Sequence, residues 1–380
     1  MSIVTATDSY EAWLAERITI VQADLDHKHR LMTEDPFVFL RATFYRWAQK
    51  WPEVCKDLAK APEILAVGDI HSDNFGSWRD VEARLVWGMN DFDEAFQLPY
   101  TNDLVRLCTS ISLALQSNVE IKDICKAVLK GYRNALRTGG RPFVVAEDFQ
   151  WLGDLLSGVF KDAPKFWDKL TQLARVDEAD VPGAARNAIK QLLPKPNLRL
   201  KYAHRVAGVG SLGRLRFVAL AKPAQALAAR EAKELTASSA LWALEEGSSA
   251  IHYNEILDQA VRSPDPFTRA VDRWLVRRLS PDYVRIDLES LAESDLFALL
   301  DAMGQETANI HLGNRPEVPN ILSDLKKRTY KDEFWLADAA SRMEELTYED
   351  YYVWVEHMGD LEFEEFSGGD DVTGGGGDEG

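Results

Sequence analysis

Two short stretches carry residue types suited to phosphate and metal chemistry: Gly68-Asp69-Ile70-His71-Ser72-Asp73-Asn74 and Asn90-Asp91-Phe92-Asp93-Glu94. Each sits beside a strand-like apolar run, so its carboxylates fall at strand ends. Asp69 and Asn74 are five apart, the spacing at which a phosphotransferase catalytic loop sets its base Asp and its metal-binding Asn. Asp91 then falls where a second metal-ligating Asp is expected, and Asp93 is a further carboxylate within reach of a second metal. Phosphoryl transfer needs a carboxylate near the acceptor hydroxyl and hard oxygen donors for Mg²⁺, and these residues supply both. His71 reads as a residue that orients the loop or packs beneath it, and Asp73 as a turn residue. The bland alternative is that these acids and the amide only cap turns.

A third stretch, Gly208-Val209-Gly210-Ser211-Leu212-Gly213, matches G-x-G-x-x-G. A dinucleotide fold would need a helix after it. The following Gly213-Arg214-Leu215-Arg216-Phe217-Val218 alternates basic with apolar residues and has no helix signal, which predicts a strand–loop–strand hairpin over phosphates. Gly208, Gly210, Ser211 and Gly213 would then contact a nucleotide, with Arg230 or Lys233 of the next strand reaching its phosphates. A plain hairpin turn is the alternative.

The elements that must position these loops follow from periodicity. Helices are expected over Ser9–Leu31 and Phe37–Trp51, then two strands at Ile64–Val67 and Leu85–Met89 with a loop between them. Helical sequence runs from Asn102 to about Leu173, broken at Gly139–Pro142. Strands are expected at Leu198–Val206, Arg214–Ala221, around Arg230–Lys233 and at Arg273–Leu279, followed by a helix from Ser294 to His311. The divisions expected are an N-terminal helical segment (1–65), a lobe carrying the carboxylate loops (66–195), a β-rich nucleotide-binding lobe (196–290), C-terminal helices (291–366) and a disordered acidic, Gly-rich tail (367–380). The N-terminal helices read as a cap on the core, with Arg41 either a phosphate contact or a surface ion pair.

Composition narrows the function classes. The chain has 380 residues and is 46% hydrophobic, enough for two lobes with a core between them. The net charge of −17 is concentrated at one end, since Glu344–Gly380 holds thirteen acids and no Lys or Arg. This argues against a nucleic-acid partner. No apolar run is long enough for a membrane span and no leader pattern is visible, so the expectation is a cytoplasmic protein without membrane contact. Cys55, Cys108 and Cys125 form no C-x-x-C pair and read as buried packing.

The motifs GDIHSDNFGSW, NDFDEAFQLPYTNDLVRL and VAGVGSLG resemble those of the bacterial family catalogued as domain of unknown function 2252, over about Phe37 to Arg315. That family is grouped with the protein-kinase-like fold, beside aminoglycoside and choline phosphotransferases. The resemblance implies an α+β, two-lobed kinase-like fold with an ATP and Mg²⁺ site. Carried over, it makes Asp69 the catalytic base, Asn74 and Asp91 metal ligands, and Asp103 a buried acid bracing the catalytic loop, with Arg106 as its partner. The Gly-rich loop follows the catalytic loop here, whereas a kinase has it first. Leu299–His311 resembles the helix that leads into the catalytic loop of aminoglycoside phosphotransferases, so a circular permutation would restore the order. Where the family's strand carries Lys before Glu-Ala, this chain has Arg230-Glu231-Ala232-Lys233.

The leading expectation is an ATP- and Mg²⁺-dependent phosphotransferase with an unknown small-molecule or protein acceptor. The alternatives are a nucleotide-binding pseudokinase or nucleotidyl transferase, and a metal-dependent phosphate-ester hydrolase using His71, Asp73, Asp91 and Asp93.

Overall fold

The computed structural model describes residues 1–368 apart from 117 and 196, with side chains as far as 361. The acidic tail expected to be disordered lies outside the described residues from 369 onward.

The chain opens with α1 (Ile3–Ala15), α2 (Gln22–Leu31), α3 (Pro36–Ala42) and α4 (Phe44–Val54). Two helices were expected here, and each is divided. The first breaks across Glu16–Val21, where Ile18-Thr19-Ile20-Val21 is a β-branched run with poor helix propensity. The second breaks at Thr43, whose hydroxyl donates back to the Phe39 carbonyl and competes with the helix ladder. Asp35 caps α3 by accepting from the Val38 N–H, with Pro36 at the first helical position.

Next come β1 (Glu63–Ala66), β2 (Phe75–Arg79), β3 (Leu85–Met89) and β4 (Phe96–Pro99). β1 pairs antiparallel with β4, and β2 with β3. Part of the loop expected between Val67 and Leu85 is the strand β2: the reversal falls at Asp80–Arg84, where Asp80 accepts from the Glu82 and Arg84 N–H groups. α5 (Tyr100–Ala114) follows directly and is buried on nearly every face, polar positions included. α6 (Ile121–Thr138), β5 (Phe143–Val144), α7 (Val145–Asp148), α8 (Gln150–Gly158) and α9 (Ala163–Thr171) lead to the second sheet.

That sheet is six-stranded and antiparallel, formed by β6 (Arg175–Val176), β7 (Lys201–His204), β8 (Arg216–Ala221), β9 (Ala228–Glu234), β10 (Arg269–Val271) and β11 (Trp274–Leu279). Its spatial order is β10-β11-β9-β8-β7-β6. α10 (Gly183–Gln191) covers one face, and α11 (Ala240–Leu244) and α12 (Tyr253–Gln259) lie between β9 and β10 in sequence. The chain then returns to the helical lobe with α13 (Glu293–His311), α14 (Val318–Lys331) and α15 (Trp335–Gly368). β6 and β10 are too short to have shown an apolar alternation.

The architecture is therefore mixed α+β with small sheets. The main core is helical, built from α5, α6 and α13 with β1, and a smaller one lies between α10 and the six-stranded sheet. Cys55, Cys108 and Cys125 are buried and free. Among the described residues no helix is long and apolar enough to cross a membrane.

Glu306 of α13 lies at the junction of this core with the carboxylate loops. It is buried, accepts from the Met89 N–H at 3.1 Å and takes the Asn309 amide at 2.9 Å. Burial pushes its carboxyl up to about 7, against the pull of Arg262. The folded chain therefore holds this proton more tightly than the unfolded one, and stability falls as pH rises from the ordinary Glu range through 7. Glu306→Gln should flatten that slope. The difference in urea-unfolding free energy between about pH 5 and about pH 8 should shrink by roughly 3 kcal/mol, and an unchanged slope would show that another group carries it.

Candidate functional site

The Asp69 loop is set by a buried carboxylate. Asp103, on the first turn of α5 and wholly buried, accepts from the Val67 N–H at 2.8 Å and the Gly68 N–H at 3.1 Å. Its second oxygen also faces His311 Nε2 at 3.0 Å, and His311 Nδ1 faces the Tyr132 hydroxyl at 2.7 Å. Helices α5, α6 and α13 thus converge on the backbone just ahead of Asp69. Gly68 has φ +78°, and a Cβ there would run into the Glu94 carbonyl, so the turn needs glycine.

Asp69 projects from this turn into a cavity. Its Oδ1 accepts from Arg106 Nε at 3.0 Å and also from Arg106 Nη2. Arg106 is buried on α5, donates to the Leu40 carbonyl and stacks between the rings of Phe44 and Trp47. Burial pushes the Asp69 carboxyl up and Arg106 opposes it, with the net shift upward. Downstream, the Asn74 amide closes the loop: its oxygen accepts from the His71 N–H at 2.7 Å and its nitrogen lies 3.1 Å from His71 Nε2. Burial, with Arg41, Arg106 and Arg285 nearby, holds His71 well below its ordinary value, so the ring is neutral. Asp73 also lines the cavity, paired with Arg41 at 2.9 Å and Arg285 at 2.5 Å.

The second carboxylate loop faces the six-stranded sheet. Lys233 of β9, almost fully buried, lies 3.4 Å from Asp91 Oδ2 and pairs with Asp93. Burial works against ionising either acid. Lys233 and Arg277 nonetheless hold Asp91 below its ordinary value, whereas burial together with the Asp91 charge pushes Asp93 up. Asp93 Oδ1 is a buried acceptor with no partner among the described residues. Unequal neighbouring carboxylates with an unused oxygen suit a divalent cation held through oxygen.

Register decides which basic groups of β9 reach this point. Side chains alternate across a strand, so Glu231 and Lys233 share the cavity face and Arg230 takes the other. Arg230 donates to the Leu192 and Ala229 carbonyls and stacks on Phe267, away from the carboxylates. Glu231 is fully buried and receives Arg216 Nη1 and Arg277 Nε, each at 2.8 Å, with Arg205 as a third partner. Burial alone would raise its carboxyl, but the three guanidinium groups hold it well below the usual range.

The Gly-rich stretch joins β7 to β8 and lies over Asp69. A Cβ on Gly210 would stand 2.8 Å from the Arg41 carbonyl and 3.5 Å from Asp69 Oδ2, so a side chain there would be crowded. Ser211 accepts from Arg216 Nη2 at 2.6 Å. Gly208, Gly210 and Ser211 line the cavity, while Gly213 turns away to pack on Leu25 and accept from the Val21 N–H at 2.8 Å.

The cavity has a volume of about 770 Å³. It gathers Asp69, His71, Asn74, Asp91 and Asp93 from the carboxylate loops with Gly208, Gly210 and Ser211 from the sheet. Asp103 and Arg106 brace it from behind, Lys233 reaches its two acids, and Arg230 and Gly213 face elsewhere. Sequence reasoning missed Lys28 and Tyr10 of the N-terminal helices, and it missed Arg214 and Glu94, all of which line the cavity. Lys28 stands four residues after Asp24, a spacing that permits an ion pair on a helix surface. In the fold Asp24 instead pairs with His204, and Lys28 turns inward.

Residues 20–144 match the model of a family described as "Uncharacterized protein conserved in bacteria (DUF2252)". The match takes in α2 to α6 and both carboxylate loops, and it ends at β5, ahead of the Gly-rich stretch. It carries the resemblance noted over Phe37–Arg315 as far as residue 144. No curated protein and no solved structure matched the chain.

Removing the Asp103 carboxylate would leave two backbone N–H groups and His311 without their acceptor in a buried core. Asp103→Ala is therefore expected to cost about 3–5 kcal/mol in chemical denaturation, and a loss under about 1 kcal/mol would show that the bracket is dispensable.

Proposed function

We propose that this protein is an ATP- and Mg²⁺-dependent phosphotransferase of the kinase-like fold, circularly permuted, acting on an acceptor hydroxyl. The observation that carries the reading is the meeting of three parts at one cavity: a carboxylate loop with Asp69 and Asn74, a second loop with Asp91 and Asp93, and a sheet bringing Gly210 and Lys233 against them. The Gly-rich stretch joins β7 and β8, the second and third of the six sheet strands, and the lysine lies on β9, the strand after them; protein kinases likewise combine a Gly-rich loop with a strand lysine. The permutation is supported by where the chain returns. After α13, Asn314 accepts from the Leu65 N–H of β1 at 3.1 Å, so the end of the leading helix abuts the start of the catalytic loop.

In this reading Asp69, its proton affinity raised by burial, accepts the acceptor's hydroxyl proton. Arg106 fixes its orientation. Lys233 reaches the donor's phosphates, and the backbone of Gly208 to Ser211 lies along them. Asn74, Asp91 and Asp93 would hold the Mg²⁺, which when bound would supply positive charge to the phosphates. The lysine has no helical glutamate partner among the described residues, since Glu245 and Glu246 are exposed, and Asp93 serves as its counter-charge. The hydrolase alternative has less support, because Asp73 is engaged by two arginines.

Calorimetric titration with a non-hydrolysable ATP analogue should show binding that requires Mg²⁺ and is lost in Asp91→Ala. No binding by the wild type in either condition would overturn the proposal. Asp69→Asn should retain that binding and lower turnover of an identified acceptor by roughly 10²–10⁴-fold. Product mass distinguishes transfer of a phosphoryl group from that of a nucleotidyl group.

A further inference from the structure

Lys28 has no role in the chemistry above, yet it is 3% exposed and opens onto the same cavity. It comes from α2, and its ammonium lies 5.7 Å from the centre of the Tyr45 ring. Among the described residues it makes no hydrogen bond or ion pair. The charges that act on it come from several elements: Glu11 of α1, Arg214 after the Gly-rich stretch, Glu94 of the second carboxylate loop and Asp69. Arg214 is buried as well, and its Nη1 has no partner among the described residues.

The acids nearby are partly occupied, with Asp93 keeping Oδ1 unpartnered among the described residues. Glu94 accepts from Arg214 Nη2, from the hydroxyls of Ser238 and Ser239 and from the Ser239 N–H. Asp69 Oδ1 takes both donors of Arg106. Glu11 faces His29 at 2.7 Å. This corner of the cavity therefore holds an ammonium with no hydrogen-bond partner among the described residues and a guanidinium that meets Glu94 through Nη2 and leaves Nη1 unused. An ammonium and a guanidinium donate and cannot accept, and burying them unpaired is costly. The complement is an oxyanion.

We propose that Lys28 and Arg214 form an oxyanion subsite beside Asp69, which takes a phosphate or carboxylate group carried by the acceptor. Assigning the anion to the acceptor rests on the phosphotransferase reading, whereas the subsite itself does not. Burial draws the Lys28 ammonium down to about 8, which makes the free amine accessible to acylation near neutral pH and gives the subsite a direct readout.

The test is the rate of Lys28 acylation by a water-soluble anhydride on the full chain, read by peptide mass spectrometry. Inorganic phosphate, acetate and chloride are compared at equal ionic strength, with and without the Mg²⁺–ATP analogue, and the exposed Lys130 is the internal control. Phosphate or acetate should slow Lys28 at least 10-fold and leave Lys130 unchanged, and the more effective of the two identifies the group. Arg214→Gln should lose most of that protection. Because this variant also disturbs Glu94, Lys28→Gln provides a second arm: calorimetric binding of the same anion should weaken at least 10-fold.

Absence of protection by either anion would overturn the subsite, as would unchanged anion binding in Lys28→Gln. Loss of the phosphate effect in Lys233→Met with retention in Arg214→Gln would also overturn it, since the anion would then occupy the nucleotide's place. Protection by phosphate in a chain that binds no ATP analogue would support the subsite while ending the phosphotransferase reading.

Discussion

The Asp103 carboxylate is the interaction on which the site depends. It ties three helices to two successive backbone N–H groups immediately before Asp69, from a wholly buried position. Charged groups in such a place are costly unless every lone pair is used, and here donors come from the chain, from His311 and from the neighbouring Asn102 amide. The rigidity that results lets Asp69 be held at one angle by Arg106 from the next turn of the same helix. The position of Asp69 is thus a property of the helical core.

Against that fixed lobe the sheet contributes a charged face. Strand alternation puts Glu231 and Lys233 of β9 on the cavity side with Arg216 of β8 and Arg277 of β11, so four neighbouring positions form one ion cluster. Glu231 is surrounded by three arginines and cannot neutralise all of them, which leaves positive potential beside the Gly-rich stretch. The opposing loops hold Asp69, Asp91 and Asp93. Opposite charges on the two walls suit a ligand carrying both phosphate and a divalent cation. The N-terminal helices complete the enclosure by holding the Gly-rich stretch through Val21, Leu25 and Arg41.

Much of the site was legible because its central parts are local in sequence. Asp69, His71 and Asn74 share one turn, and Asp91 and Asp93 follow one strand, so short-range spacing was enough to group them. The division of the first helices was not legible, since apolar periodicity continues across Glu16–Val21 and across Thr43 while backbone preferences break there. β2 was missed because Ser77–Asp80 has the composition of a turn, and only pairing with β3 makes it a strand.

The sequence by itself determined the two carboxylate loops, the Gly-rich hairpin, the helical and strand character of the long segments and the acidic C-terminal end. These depend on spacing, propensity and composition, which act over a few residues. Tertiary structure alone decided that Lys233 rather than Arg230 meets the carboxylates, because a strand shows its side chains on alternate faces and burial chooses the face. It also decided that Lys28 opens into the cavity while Asp24, four residues before it on α2, pairs with His204 of β7. Partners distant in sequence compete for each buried charge, and that competition is settled only when the elements pack.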